Sequence, residues 1–385
     1  MDKGRKITGF IKAAVLLLLL LLAFNIAGCF KTFCNFYKAY FYPVIADFWG
    51  RILGIFPVPL GELLMYLGAL LLLLALALSF LLLFLRKREG YRRFTVIYLK
   101  AILLTAESVL LIYTLNWVIP FRSDLLEVGG GVERSYTLDE IRNVRNEIVL
   151  RLNECAKAVE RDESGRVIYY DVDQAVFQAM QNLKDVYPLL GGYYPPMKGA
   201  LCSDFLEWMN IGGYTYPYTM EVTYNVYVTD LYYPFLLAHE SSHHKGFYQE
   251  NGANFLAFLA CIGSEDPLVR YAGYNEIYYY INDAYYETLY AVKDAAAADA
   301  EWDRQPQISM QVYRDRRDSW EISEQKYEAV SHPAQDFAPV AADVADVGWS
   351  VQGEVLQENS YDGVVKMLLE YYDAKEGGIA GLKDR

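Results

Sequence analysis

Three stretches of the chain are apolar almost without interruption: residues 7–29, 61–85 and 95–119. Each is long enough to cross a hydrocarbon layer of ~30 Å as a helix, which takes about 20 residues. The first two are dominated by leucine. The third carries Lys100, Glu107 and Asn116, which a spanning helix must turn towards neighbouring helices or the interface. Lys3, Arg5, Lys6 and Lys12 precede or open the first stretch, and "RKREGYRR" (86–93) joins the second to the third. Positive flanks of this kind stay on the cytoplasmic side. Three crossings of the plasma membrane then place the loop 30–60 and everything after Pro120 outside. The expected organisation is a membrane domain over 1–120, a linker over 121–136 that contains "GGG", and an extracytoplasmic domain over 137–385.

Beyond residue 136 the pattern becomes that of a globular domain. Thr137 and Glu140 have the spacing of a capping box, which predicts a helix start. Ile141, Val144, Ile148, Leu152 and Cys155 continue it at helical spacing. A second helix is expected over 172–186, and residues 187–217, dense in Pro, Gly and Tyr, read as loop. "TMEVTYNVYVT" (219–229) alternates β-branched and aromatic residues and predicts a strand. "YYPFLLAHESSHHKGF" and "ENGANFLAFLACIG" predict two helices separated at Gly246. A tyrosine-rich helix within 266–293 follows, then "AAAADAEWDRQPQ" as a linker, a polar helix over 309–330 and a last helix near 361–374. The fold class is therefore mainly α with a small β element, behind three N-terminal transmembrane helices.

Charge sharpens this division. The first 120 residues carry a net +8 and the remainder −21, within a chain of 385 residues and net charge −13. An acidic outer domain argues against nucleic acid as a partner, because two polyanions repel; the bilayer itself is the expected partner of the first domain. Five cysteines (Cys29, Cys34, Cys155, Cys202 and Cys261) form no CxxC pair, and a domain of this size needs no disulfide framework. "IAGC", ending at Cys29, also fits a lipoprotein signal in which that cysteine is lipidated after cleavage. The outer domain would lie on the same side in either case.

The chemistry is concentrated in one run. "HESSHHKGF" (239–247) holds three of the four histidines of the chain. His239 and His243 are four residues apart, so a helix sets them one turn apart on one face with Glu240 beside them. This HExxH arrangement lets two neutral imidazoles share a Zn²⁺ ion, while the glutamate takes a proton from the water that attacks a peptide carbonyl. A third ligand is needed. His244 points about 100° away round the helix, and His332 lies in a loop. A carboxylate from the next helix is favoured, with Glu250 and Glu265 the nearest acids.

"HESSH" followed by "ENGANFLAFLA" resembles the gluzincin-type membrane metallopeptidases, in which a glutamate three residues before an Ala-Asn or Ala-Asp pair is the third zinc ligand. That resemblance implies Glu250, with the pair at Ala253 and Asn254. "PFLLAHESSHHKGFYQENGANFLAFLAC" (234–261), "YPYTMEVTYN" (216–225) and "SYDGVVKMLLEYY" (360–372) are also similar to a bacterial family of three-span membrane proteins of unknown function. Its members carry an acid where this chain has Gly252, and Leu-Ala where it has Ser241 and Ser242.

Two functions are in view. One is a zinc-dependent metallopeptidase with a zincin-like domain, acting on a peptide or protein substrate. His239, His243 and Glu250 would hold the metal, Glu240 would be the general base, and Glu221 and Asn225 on the predicted strand would contact substrate. The other is a non-catalytic scaffold of the same fold that binds a partner along 219–229 as an edge strand.

Overall fold

The structure is a computed structural model and describes residues 2–128, 134–345 and 360–384. The GGG of the expected linker lies outside the described residues. The chain divides into two compact units, Met1–Asp124 with Thr215–Glu221, and Leu125–Tyr214 with Val222–Arg385. Seven residues from within the larger unit's stretch of sequence, Thr215–Glu221, belong to the smaller one.

In the first unit, helices α1 (Asp2–Ala27), α4 (Leu60–Leu85) and α5 (Glu89–Tyr113) are the long apolar elements. The chain continues from α5 through a π-helical turn, Thr114–Val118, and a short α6, Ile119–Phe121. Three segments, Gly9–Ala27, Leu60–Leu85 and Glu89–Phe121, are long and apolar enough to cross a membrane, and the chain is a membrane protein that associates with a lipid bilayer. Polar groups of the third segment turn inward. Lys100 Nζ sits 4.8 Å over the Phe10 ring, and Asn116 Nδ2 donates to Pro217 O at 2.8 Å. The connection between the first two spans, 30–60, contains α2 (Lys31–Tyr40) and α3 (Tyr42–Leu53).

The segment Thr215–Glu221 is held firmly within the first unit. The Glu221 carboxylate accepts from the backbone N–H groups of Leu60, at 3.0 Å, and Gly61, at 2.6 Å. These are donors that the first turn of a helix leaves unsatisfied, and a negative charge there also complements the helix dipole. Gly61 permits the approach. A Cβ at that position would lie 2.6 Å from Thr219 Oγ1 and 2.9 Å from the Tyr216 ring.

The second unit opens on α7 (Leu138–Ala158), whose start is the expected capping box: Glu140 N–H donates to Thr137 Oγ1, and the Glu140 carboxylate accepts from Thr137 N–H. Helices α8 (Asp173–Asn182) and α9 (Ser203–Trp208) follow. The sheet is smaller than the alternating pattern implied. Strands β1 (Lys198–Gly199), β2 (Gly213–Thr215) and β3 (Val222–Tyr224) run in the order β1-β3-β2, with β1 and β3 parallel. Asn225 ends β3, because its Oδ1 accepts from Tyr227 N–H at 3.0 Å and turns the backbone out of the ladder. β3 is thus the middle strand, which corrects the expectation of an edge at 219–229.

Helices α10 (Tyr233–His244), α11 (Glu250–Gly263) and α12 (Pro267–Val292) form the centre of the core. Gly246, at φ +89°, makes the turn between the first two, a conformation that costs glycine little. The expected linker after residue 294 is instead α13 (Ala295–Trp302), started by Asp294, whose carboxylate accepts from Ala297 N–H. Its alanines have the highest intrinsic helix propensity, which a hydrophobic-pattern reading overlooks. Helix α14 (Met310–Glu328) and the C-terminal helix Ser360–Asp373 complete the unit, the latter contributing Val364, Leu368 and Leu369 to the core.

Candidate metal centre

Helix α10 is buried over nearly its whole length, from Pro234 to His244. Burial of that many polar side chains is sustained only where they find partners. His239 Nδ1 lies 2.7 Å from Asn254 Oδ1, and His243 Nδ1 lies 2.8 Å from the carbonyl oxygen of Phe247. Both partners are acceptors, so each ring donates from Nδ1 and turns Nε2 the other way. The two rings stand nearly perpendicular, with centroids 4.6 Å apart.

Glu250, the first residue of α11, meets them. Its carboxylate oxygens lie 3.2 Å from His239 Nε2 and 3.5 Å from His243 Nε2. One ligand atom from each of the three residues falls within 4.8 Å of the others. Burial alone would lower the His243 pKa, but the Glu250 carboxylate outweighs it and holds it up at about 9. Conversely, burial works to raise Glu250, and the facing imidazoles of His243 and His239 keep it well below the usual carboxylate range. Glu250 and His243 therefore stabilise each other's charged forms.

Around these three lies a further layer. Asn254 donates through Nδ2 to the Tyr280 hydroxyl at 3.2 Å, and Tyr248 stacks on His243 with planes 12° apart. Glu240 is buried at 3% exposure. Gly213 of β2 borders it: a Cβ there would lie 3.2 Å from Glu240 Cγ and Oε1 and 2.6 Å from Thr223 O. The partly buried Tyr232 phenol is held well above its usual pKa by desolvation first and then by Glu276, Tyr280, Glu240 and Glu250.

The other sequence candidates are placed elsewhere. His244 is fully buried and is outside the group of three, while His332 lies 2.7 Å from Tyr327 O and 3.0 Å from Asp204. Glu265 is exposed. Glu221 caps α4, and Asn225 donates to Glu207 Oε2 at 2.6 Å; both side chains are engaged in holding structure. Gly252 is turned towards Leu126, whose Cβ would be 3.6 Å from an added Cβ. The position where an acid is missing thus points to ordinary packing, whereas Glu250 faces the imidazoles. Asn254, Phe247 O, Tyr280 and Gly213 had no assigned role in the sequence; only the Ala-Asn pair signalled one of them.

The family described as "Protein of unknown function (DUF3810)" matches over residues 37–369, and the chain belongs to that family. No curated protein and no solved structure matches the chain.

Proposed function

We propose that this member of the DUF3810 family is a membrane-anchored, zinc-dependent metallopeptidase whose larger unit lies on the outer side of the plasma membrane. His239, His243 and Glu250 would hold the ion, and Glu240 would act as general base. The reading rests on one observation: two imidazole Nε2 atoms and a carboxylate converge, each imidazole with its Nδ1 proton directed to a separate acceptor. Two histidines and a glutamate form a donor set suited to a catalytic zinc, which leaves a position open. Zinc bound there would supply Lewis acidity towards a peptide carbonyl and a water molecule.

The protein's own groups account for the rest. Asn254 and Phe247 O fix ring orientation, so the imidazoles are preorganised. A cation must displace the proton shared by His243 and Glu250, which makes its binding pH-dependent. Glu240, buried and bordered by Gly213, would hold on its carboxylate the proton taken from water, then return it to the departing amine. A peptide or protein is the expected substrate. The positive flanks at 3–12 and 86–93 support a cytoplasmic N-terminus and an outer C-terminal unit.

The test uses the full chain in detergent. Zinc content by elemental analysis should be near one per chain, and should fall in His239→Ala and in Glu250→Ala. Glu240→Gln should keep the zinc and lose hydrolysis of a quenched peptide library. Zinc-free protein of normal stability would remove the metal from the reading, and an active Glu240→Gln enzyme would remove the general base.

A further inference from the structure

Helices α2 and α3 are built with their polarity reversed. Phe36, Tyr40, Val44, Phe48 and Ile52 recur every four residues, and all are exposed, at 52%, 68%, 69%, 56% and 39%. Phe41, Trp49, Ile55 and Phe56 widen the same exposed surface. The buried residues of the two helices are instead Cys34, Tyr37, Lys38, Tyr42, Ala46, Gly50 and Leu53. Lys38 is drawn inward, where Nζ donates to Ser123 Oγ at 3.1 Å. A helix pair in water shows charge outside and large apolar groups inside; this pair shows aromatic and aliphatic groups outside and the Lys38 ammonium inside.

We propose that α2, α3 and the turn that follows lie in one leaflet of the bilayer, with the row from Phe36 to Ile52 seated against lipid acyl chains. An exposed apolar surface of this extent signals an interaction site, and its place in the chain identifies the occupant. The preceding span ends at Ala27 and the next begins at Leu60, so both ends of the segment are tied to the membrane face. The surface is also continuous with that of the first span: one open groove is lined by Ala23, Ile26 and Ala27 of the span and by Phe30, Phe33 and Phe36 beyond it. Aromatic side chains are the groups preferred at the border between hydrocarbon and headgroups. The charged groups flanking the row are paired, Lys31 with Asp124 at 3.4 Å and Arg51 with Asp47 at 3.6 Å, and long Lys and Arg side chains reach headgroups from beside an apolar surface.

Val44→Cys and Ile52→Cys, made separately in the full chain with exposed Cys29 exchanged for Ser, test this. Each is spin-labelled in phosphatidylethanolamine–phosphatidylglycerol vesicles, and collision with oxygen is compared with collision with a water-soluble nickel chelate. Leu72→Cys on the second span and Glu163→Cys on the exposed loop serve as references. The proposal expects oxygen to dominate severalfold at both sites, as at Leu72. Dominance of nickel, as at Glu163, overturns it, and so does low collision with both, which would place protein, such as a second copy, on this face. Val44→Trp gives a second reading without labelling. Lipids brominated on the acyl chain should quench its added fluorescence, and no added quenching would equally overturn the proposal.

Discussion

Asn254 Oδ1 and His239 Nδ1 are 2.7 Å apart, although one belongs to the second turn of α11 and the other to the middle of α10. The amide is in turn held by the Tyr280 hydroxyl, so a three-residue chain of hydrogen bonds orients one imidazole. Such partners typically account for roughly 10–100-fold in metal affinity. Asn254→Ala should weaken zinc binding by about that factor while leaving the secondary structure intact, as read by chelator competition and circular dichroism. Unchanged affinity would show that His239 needs no orienting partner.

Gly213→Ala should strike Glu240 without touching a metal ligand. The new methyl would sit 3.2 Å from Glu240 Oε1 and 2.6 Å from Thr223 O, and overpacking of this kind costs about 1–3 kcal/mol. Peptide hydrolysis should fall by at least an order of magnitude with zinc stoichiometry retained. Full activity would mean that the wall beside Glu240 yields and does not position it.

Glu221→Ala removes the carboxylate that accepts from Leu60 and Gly61. Charge-assisted hydrogen bonds of this type contribute about 1.5–3 kcal/mol. The expected result is a lower Tm of the detergent-solubilised chain with unchanged zinc content, and Glu221→Gln should recover part of the loss. An unaltered Tm combined with a raised KM would return Glu221 to the substrate-binding role that the sequence suggested.

Glu276 supplies a pH dependence that does not involve the metal ligands. Burial raises its pKa from 4.5 to about 7, against the lowering influence of Asn275 and Arg316. Between those values the unfolded chain has released a proton that the folded chain still holds, so stability declines as pH rises through the interval and levels off above it. At 1.36 kcal/mol per unit the loss is roughly 3 kcal/mol. Glu276→Gln should flatten this slope, measured by chemical denaturation at pH 5 and pH 8, and should be the more stable variant at pH 8. A wild-type slope that survives the substitution would assign the proton to another group.

Local and periodic features were legible in the sequence. Thr137 and Glu140 need only each other to start α7, the three spans need only length and apolarity, and His239 and His243 need only a helix to share a face. Glu250 was reached through its offset from Ala253 and Asn254, a pattern of resemblance and not of periodicity. What escaped depends on distant partners. Glu221 finds its donors about 160 positions earlier in the chain, so its alternation with Val222 and Thr223 looked like strand register. β3 turned out to be central because β1, a two-residue strand too short to predict, pairs with it. The helices within the connection 30–60 went unread because their apolar groups face outward, so the pattern carried no sign of which side was interior.

The seven residues Thr215–Glu221 set a limit on how this protein can be dissected. A chain cut just before Leu125 to liberate the larger unit from lipid would retain the segment but discard Leu60, Gly61 and Asn116, the groups that satisfy it. Glu221, Thr219 and Met220, each at most 5% exposed in the whole chain, would enter solvent together on a turn whose Met220 is held at φ +58°. Since β2 and β3 emerge from the two ends of that turn and Gly213 borders Glu240, such a fragment would be disturbed close to Glu240. Any property lost in it would then report on the surgery and not on the intact chain.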